Sequence, residues 1–173
     1  PVDHLYASPV FMEHYRSTDK DDFVVVATDV GAAKMARGYA KRMGAGLAII
    51  DKRRSGPNVA EVVNVVGEVR GRKCLIPDDM VDTAGTMVNA VEALHERGAT
   101  EVYCIATHAL LSGPAVERLS GADIVEIAVT DTVEVSKEKR EALPNLVGVS
   151  VAPLLARAIE STHYNRSVSK LFD

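Results

Sequence analysis

Cys74-Leu75-Ile76-Pro77-Asp78-Asp79-Met80-Val81-Asp82-Thr83-Ala84-Gly85-Thr86 is the stretch whose reading decides the fold. An apolar run leads in, two adjacent acids follow, and a third acid opens a loop of small residues before helical spacing begins at Met87. This is the pattern of a strand whose C-terminal end delivers a loop onto a helix N-terminus. In open α/β sheets ligands bind at that edge, and exposed backbone N–H groups there suit phosphate. Ala84 and Gly85 let the backbone close around an anion, and Thr83 and Thr86 add hydroxyl donors. Asp78 and Asp79 do not suit phosphate; they suit sugar hydroxyls or a hard cation such as Mg²⁺. A plain turn in which Asp82 or Thr83 caps the helix accounts for one acid or one hydroxyl, not for three acids beside a hydroxylated glycine loop.

A second unit of the same kind lies upstream. Phe23-Val24-Val25-Val26-Ala27 is a β-branched run typical of a buried parallel strand. Thr28-Asp29-Val30-Gly31-Ala32 follows it, and a helix is expected over residues 34–43, stopped by Gly44. Read alone, Asp29 serves equally as a cap or as a ligand. Leu47-Ala48-Ile49-Ile50 reads as the next strand, ending in Asp51-Lys52-Arg53-Arg54. Residues 55–58 are loop, and residues 59–66 alternate loosely like hairpin strands. A basic flap of this kind can neutralise and enclose phosphoryl groups, although three cations after a strand also make an ordinary solvated turn.

Downstream, strands are expected over residues 101–106, 124–129 and 147–151, with a terminal helix from Ala152. His108 stands at a strand's carboxyl end and reads as structural rather than catalytic. His4 and His14 have no metal-ligand spacing, and His95 reads as a surface residue. Pro77 cannot donate to a sheet ladder, so the strand is expected to end or bulge there and to re-aim Asp78.

Composition narrows the function. The 20 basic and 24 acidic residues give a net charge of −4, which argues against nucleic-acid binding. No apolar run reaches the ~18–20 residues of a membrane span, and the N-terminus has no secretory-signal pattern. The chain begins at Pro1 rather than Met, which suggests an upstream segment. Cys74 and Cys104 sit in apolar runs and read as reduced core residues of a cytoplasmic protein.

Residues 78–86, Asp-Asp-Met-Val-Asp-Thr-Ala-Gly-Thr, resemble the phosphoribosyl-binding signature of the type I phosphoribosyltransferase fold, in the form typical of the ribose-phosphate pyrophosphokinase family. The flap Asp51-Lys52-Arg53-Arg54 with Pro57-Asn58-Val59-Ala60-Glu61-Val62 is similar to that family's catalytic loop, and the resemblance runs from Pro1 to Phe172. It implies transfer of the β,γ-diphosphoryl group of ATP to the 1-hydroxyl of ribose 5-phosphate, with Mg²⁺ as cofactor. It implies that Lys52 is catalytic and that Arg54, Asp78, Asp79, Asp82, Thr83, Ala84, Gly85 and Thr86 bind ribose 5-phosphate. It further implies that Asp29, Val30, Gly31 and Ala32 form the pyrophosphate loop, with Asp29 a metal ligand. Thr28 and Ala32 replace Pro and Gly of that loop's usual Pro-Asp-x-Gly-Gly, and the added methyl at Ala32 requires a negative φ. Ser167 and Ser169 match a regulatory site at subunit interfaces, with Lys170 where an aromatic is common.

The expected architecture is a single α/β domain over residues 1–173: a doubly wound, mostly parallel five-stranded sheet, helices on both faces and a flexible hairpin flap. By resemblance it is the C-terminal half of a longer two-domain enzyme. The N-terminal half, which supplies much of the ATP site, is missing, and the whole assembles as a homo-oligomer built as a hexamer of dimers. Two alternatives remain at this point: a nucleobase phosphoribosyltransferase and a non-catalytic regulatory homologue.

Overall fold

Burial on both faces shapes the central strands. In the computed structural model, which describes residues 2–16, 22–53 and 62–171, strand β1 (Phe23–Ala27) is buried at every position. Val24 and Val26 pack in one apolar cluster, and Phe23, Val25 and Ala27 in another on the opposite face. The first face is covered by helix α3 (Gly85–Glu96) through Met87, Ala90, Val91 and Leu94, and by α4 (Ala115–Ser120) through Ala115 and Leu119. The second is covered by α1 (Ser8–His14) through Phe11 and by α2 (Ala33–Met43) through Ala36, Tyr39, Ala40 and Met43. Phe23 is wholly buried, so truncating it to Ala would cost about 3–5 kcal/mol.

The sheet has seven strands, with β2 (Gly46–Arg53), β3 (Val62–Val66), β4 (Lys73–Val81), β5 (Glu101–Ala109), β6 (Glu126–Thr130) and β7 (Leu146–Val149) beside β1. Their order is β3-β2-β1-β4-β5-β6-β7, and only β3 runs antiparallel to its neighbour. The doubly wound parallel architecture is as expected, but the expected five strands become seven. The strand before the flap continues past Ile50 to Arg53 and pairs with β3, which extends the sheet, and β7 closes the other edge. Two further helices, α5 (Lys137–Ala142) and α6 (Ala152–His163), flank β7 in sequence.

Pro77 does not end its strand. β4 stays paired with β5 through Pro77↔Ile105 as far as Val81↔Ala109, while its ladder to β1 stops at Val25↔Leu75. Lys73 N–H donates to Asp22 O on the β1 side, and alternate residues of a strand face the same neighbour, so Pro77 also faces β1. The missing N–H therefore falls where the ladder has already opened. The strand neither ends nor bulges, and Asp78 keeps its register opposite Ala106.

That opening has a topological cause. From β1 the chain crosses to β2 on one side, and from β4 it crosses to β5 on the other. The C-terminal ends of β1 and β4 thus form the switch point at which the two loops part and leave a crevice.

Candidate active site

The crevice holds a cleft of about 550 Å³, within the usual range for a small-molecule site. Residues 78–87 line it from β4 and α3, and Thr28, Asp29, Gly31, Ala32 and Met35 line it from β1 and α2. The structure thus brings Asp29, Gly31 and Ala32 together with Asp78, Asp79, Asp82, Thr83, Ala84, Gly85 and Thr86. Val30, expected in the pyrophosphate loop, is 70% exposed and does not line the cleft. Arg54 and the flap residues Pro57, Asn58, Val59, Ala60 and Glu61 lie outside the described residues, as does the side chain of Lys52.

The loop after β4 is held entirely from behind. Val81 O accepts from Leu111 N at 3.0 Å, Asp82 O from Ser112 N at 2.9 Å and Thr83 O from Arg118 Nη1 at 2.9 Å. Ala84 O accepts Val88 N at 3.0 Å as the first helical bond of α3. A trans peptide points its N–H opposite to its C=O, so with these carbonyls turned back the following N–H groups face the cleft. Among the described residues, no protein acceptor meets the N–H groups of residues 82–86. Ala84, the residue before α3, has φ of +61° and no side-chain cap bond. The plain capping role for Asp82 or Thr83 is therefore not the one adopted, and neither side chain has a hydrogen-bond partner among the described residues.

Asp78 and Asp79 stand at the mouth of the same cleft. Asp79 N–H donates to Asp78 Oδ1 at 2.8 Å. Partial burial, reinforced by side-chain hydrogen bonding with Asp79, raises the Asp78 pKa to about 6. Two adjacent carboxylates of this kind can accept a pair of sugar hydroxyls, whose donors would replace the lost solvation.

The loop after β1 closes differently. Asp29 Oδ1 accepts Ala32 N–H at 2.8 Å, and Val30 O accepts Ala33 N. Ala32 has φ of −76°, so its methyl group is accommodated as the sequence requires. A Cβ at Gly31 would stand 3.1 Å from Asp29 Oδ1, so glycine there keeps the carboxylate uncrowded. Among the described residues, no group of three or more His, Cys, Asp or Glu side chains is arranged to hold a metal ion.

Farther along the same sheet edge, Thr130, Thr132 and His108 form a polar cluster. The hydroxyls of Thr130 and Thr132 both donate to Thr107 O, and Thr132 Oγ1 is 2.8 Å from His108 Nδ1. Ser150 Oγ–H and Val151 N–H donate to Asp131, which holds its carboxyl below the usual range. None of these residues, His108 included, lines the cleft. Ser167, just before the 3₁₀ segment Val168–Leu171, donates to Ser169 within it at 3.0 Å, and neither serine lines the cleft. Cys74 and Cys104 are free and buried, and burial pushes both thiols up, Cys74 to about 12. No helix among the described residues is long and apolar enough to cross a membrane.

Sequence reasoning missed Met35 as a lining residue and treated Thr28 only as a replacement for Pro. It also missed Arg118, whose target lies 35 residues away in sequence, so no local spacing signals the contact. A basic residue on a short helix reads simply as a solvated face.

A doubly wound sheet with a small-residue, N–H-lined loop at its switch point defines a domain of the type I phosphoribosyltransferase fold. An adenine phosphoribosyltransferase from Thermoanaerobacter pseudethanolicus shares that fold at a TM-score of 0.52 and 18% identity, covering 70% of this chain and 77% of its own. More specifically, residues 54–173 match the phosphoribosyl synthetase-associated domain, and the chain belongs to that family. It is similar to the ribose-phosphate pyrophosphokinase of Caldanaerobacter subterraneus subsp. tengcongensis, with 49% identity over 99% of this chain and 54% of the relative. It is also similar to the solved phosphoribosylpyrophosphate synthetase of Mycobacterium smegmatis, with 40% identity and a TM-score of 0.82 over 95% of this chain and 53% of that one. The chain spans about half the length of the curated relatives it matches.

Proposed function

We propose that this chain is the sugar-phosphate half of a ribose-phosphate pyrophosphokinase, which moves the β,γ-diphosphoryl group of ATP to the 1-hydroxyl of ribose 5-phosphate. The observation that carries the reading is one crevice that joins unpartnered N–H groups at residues 82–86 to the Asp78–Asp79 pair. Phosphate suits the first and sugar hydroxyls suit the second, and their adjacency suits a phosphorylated sugar. In this reading Thr83 and Thr86 add hydroxyl donors to the phosphate, and Asp78 and Asp79 accept the ribose hydroxyls and fix the ring. The fixed ring presents its 1-hydroxyl for attack on the β-phosphorus; the new P–O bond forms as the α–β bridge bond breaks, the hydroxyl proton is lost and AMP leaves. Positioning of this kind supplies much of phosphoryl-transfer catalysis. Lys52 and Arg54 are assigned to the transferring group.

Asp29 fits Mg²⁺ as a partial ligand. One carboxylate oxygen closes its own loop, the other has no protein partner among the described residues, and Mg²⁺ takes one or two carboxylates while keeping waters and substrate phosphates. When bound, Mg²⁺ neutralises charge on the phosphoryl oxygens. Gly31 and Ala32 line the cleft beside it; the Ala32 N–H is already committed to Asp29 Oδ1, and Val30 contributes only as part of the same loop. Ser167 and Ser169 are assigned to regulation between subunits of a homo-oligomer.

Calorimetric titration tests the reading. The 173-residue chain should bind ribose 5-phosphate more tightly than ribose or inorganic phosphate, and by itself, spanning about half the length of its relatives, should release AMP from ATP slowly or not at all. Equal affinity for all three ligands would overturn the site assignment, and rapid AMP release would overturn the half-enzyme assignment.

A further inference from the structure

Of the four carbonyls that turn the phosphate loop inside out, three are anchored by backbone N–H groups and one by a side chain. The exception is Thr83, whose carbonyl accepts from Arg118 Nη1 of α4 at 2.9 Å. The position of that bond matters. Rotating the Thr83–Ala84 peptide changes ψ of Thr83 and φ of Ala84 together and reverses the directions of Thr83 C=O and Ala84 N–H. Ala84 is at φ +61°, a region a non-glycine residue occupies only when its surroundings hold it there. The flipped peptide would relax Ala84 to negative φ. It would also aim a carbonyl, rather than an N–H, into the cleft.

We propose that Arg118 is a positioning residue that locks this peptide in its anion-facing state. The role as part of a phosphate site rests on the reading above, but the lock on the peptide does not. Arg118 is absent from the cleft lining, so it acts through the loop rather than on the ligand. Its bond to Thr83 O is charge-assisted, the stronger kind of hydrogen bond. Gly85 fits the same arrangement, because a Cβ there would stand 3.3 Å from Arg118 Nη1. The φ of Gly85 lies outside the region that favours glycine, so the guanidinium, not the backbone, is what a side chain at that position would disturb.

Carbon chemical shifts of Ala84 in the ligand-free chain read the peptide state directly, and titration with ribose 5-phosphate reads its consequence. The wild type should give left-handed shifts. Arg118→Met should lose them, with an unchanged melting temperature because Arg118 is exposed, and should bind ribose 5-phosphate about tenfold more weakly. Arg118→Lys keeps one donor and should recover part of both signals. Gly85→Ala should weaken binding in the wild type and much less in Arg118→Met, because the contact it disturbs is then gone. If Arg118→Met does not fold, Gly85→Ala alone should shift the Ala84 signals. Left-handed shifts and unaltered affinity in Arg118→Met would overturn the proposal. Loss of the shifts with no ribose 5-phosphate binding by any variant, wild type included, would support the lock and overturn the phosphate reading instead.

Discussion

Two strand–loop–helix units face each other across one crevice, and they are built in opposite ways. The loop after β1 is closed by its own acid, with Asp29 Oδ1 capping the Ala32 N–H. The loop after β4 is closed by other elements, through Leu111, Ser112 and Arg118. A self-closed loop commits part of its chemistry to its own shape, and Asp29 has one carboxylate oxygen left for a ligand. A loop anchored from outside keeps its acid, hydroxyls and N–H groups free, at the cost of a strained Ala84. One anchor is itself strained and held: Leu111 has φ of +51°, and Lys139 of α5 donates to its carbonyl at 2.9 Å. External anchoring suits the tight grip of a fixed anion, whereas self-closure suits a weaker site shared with metal and water.

The comparison can be broken most decisively at the acids beside the β4 loop. Replacing Asp78 and Asp79 together with Ala should weaken ribose 5-phosphate binding by about 100-fold and leave inorganic phosphate within about twofold, measured by calorimetry. A parallel loss of both ligands would mean that the acids shape the loop rather than hold the sugar.

Backbone strain distinguishes the loops next. Ala84→Val places a β-branched side chain at φ +61° and should destabilise by about 2–3 kcal/mol in urea unfolding. Ala32→Ser, at φ −76° in the other loop, should change stability by no more than about 0.5 kcal/mol. Equal effects would contradict the contrast in strain.

The Asp78 pKa of about 6 gives a pH signature with a definite sign. Below about pH 4 the carboxyl is protonated in both folded and unfolded chains and costs nothing. As pH rises from about 4 to about 6 the unfolded chain ionises first, so the folded state loses stability until the folded group ionises too. Asp78→Asn should therefore be more stable than wild type at pH 7, by on the order of 1 kcal/mol after allowance for solvent screening. The gain should vanish below about pH 4, and a gain independent of pH would exclude ionisation as its cause.

The smallest effect belongs to the self-closed loop. Asp29→Ala should cost about 1 kcal/mol through the lost loop hydrogen bond, while Asp29→Asn, which preserves the accepting oxygen, should cost a few tenths. If both cost the same, charge rather than the hydrogen bond closes that loop.

Much of this contrast was legible in the sequence. The β4 loop stands out because its acids and small hydroxylated residues are consecutive, and local spacing carries that signal. The β1 strand and the Gly44 stop are equally local, and Gly44 ends α2 at φ +68°. What depends on distant partners was not legible. Pro77 reads as a strand breaker until the sheet order shows its nitrogen facing an open ladder. Arg118 carries no local signal at all, and only the fold places it behind Thr83. The edge runs 59–66 and 147–151 read as strands locally, but only their pairing with β2 and β6 joins them to one sheet, which is why a five-stranded sheet becomes seven-stranded. Lys52 and Arg54 remain assignments by resemblance.

Backbone-amide mapping of a ribose 5-phosphate titration, without metal or pyrophosphate, tests the central claim most directly. The account predicts that the N–H signals of residues 82–86 move first and farthest, while those of residues 29–32 stay nearly still until pyrophosphate and Mg²⁺ are added. Early movement at residues 29–32, with residues 82–86 silent, would contradict it.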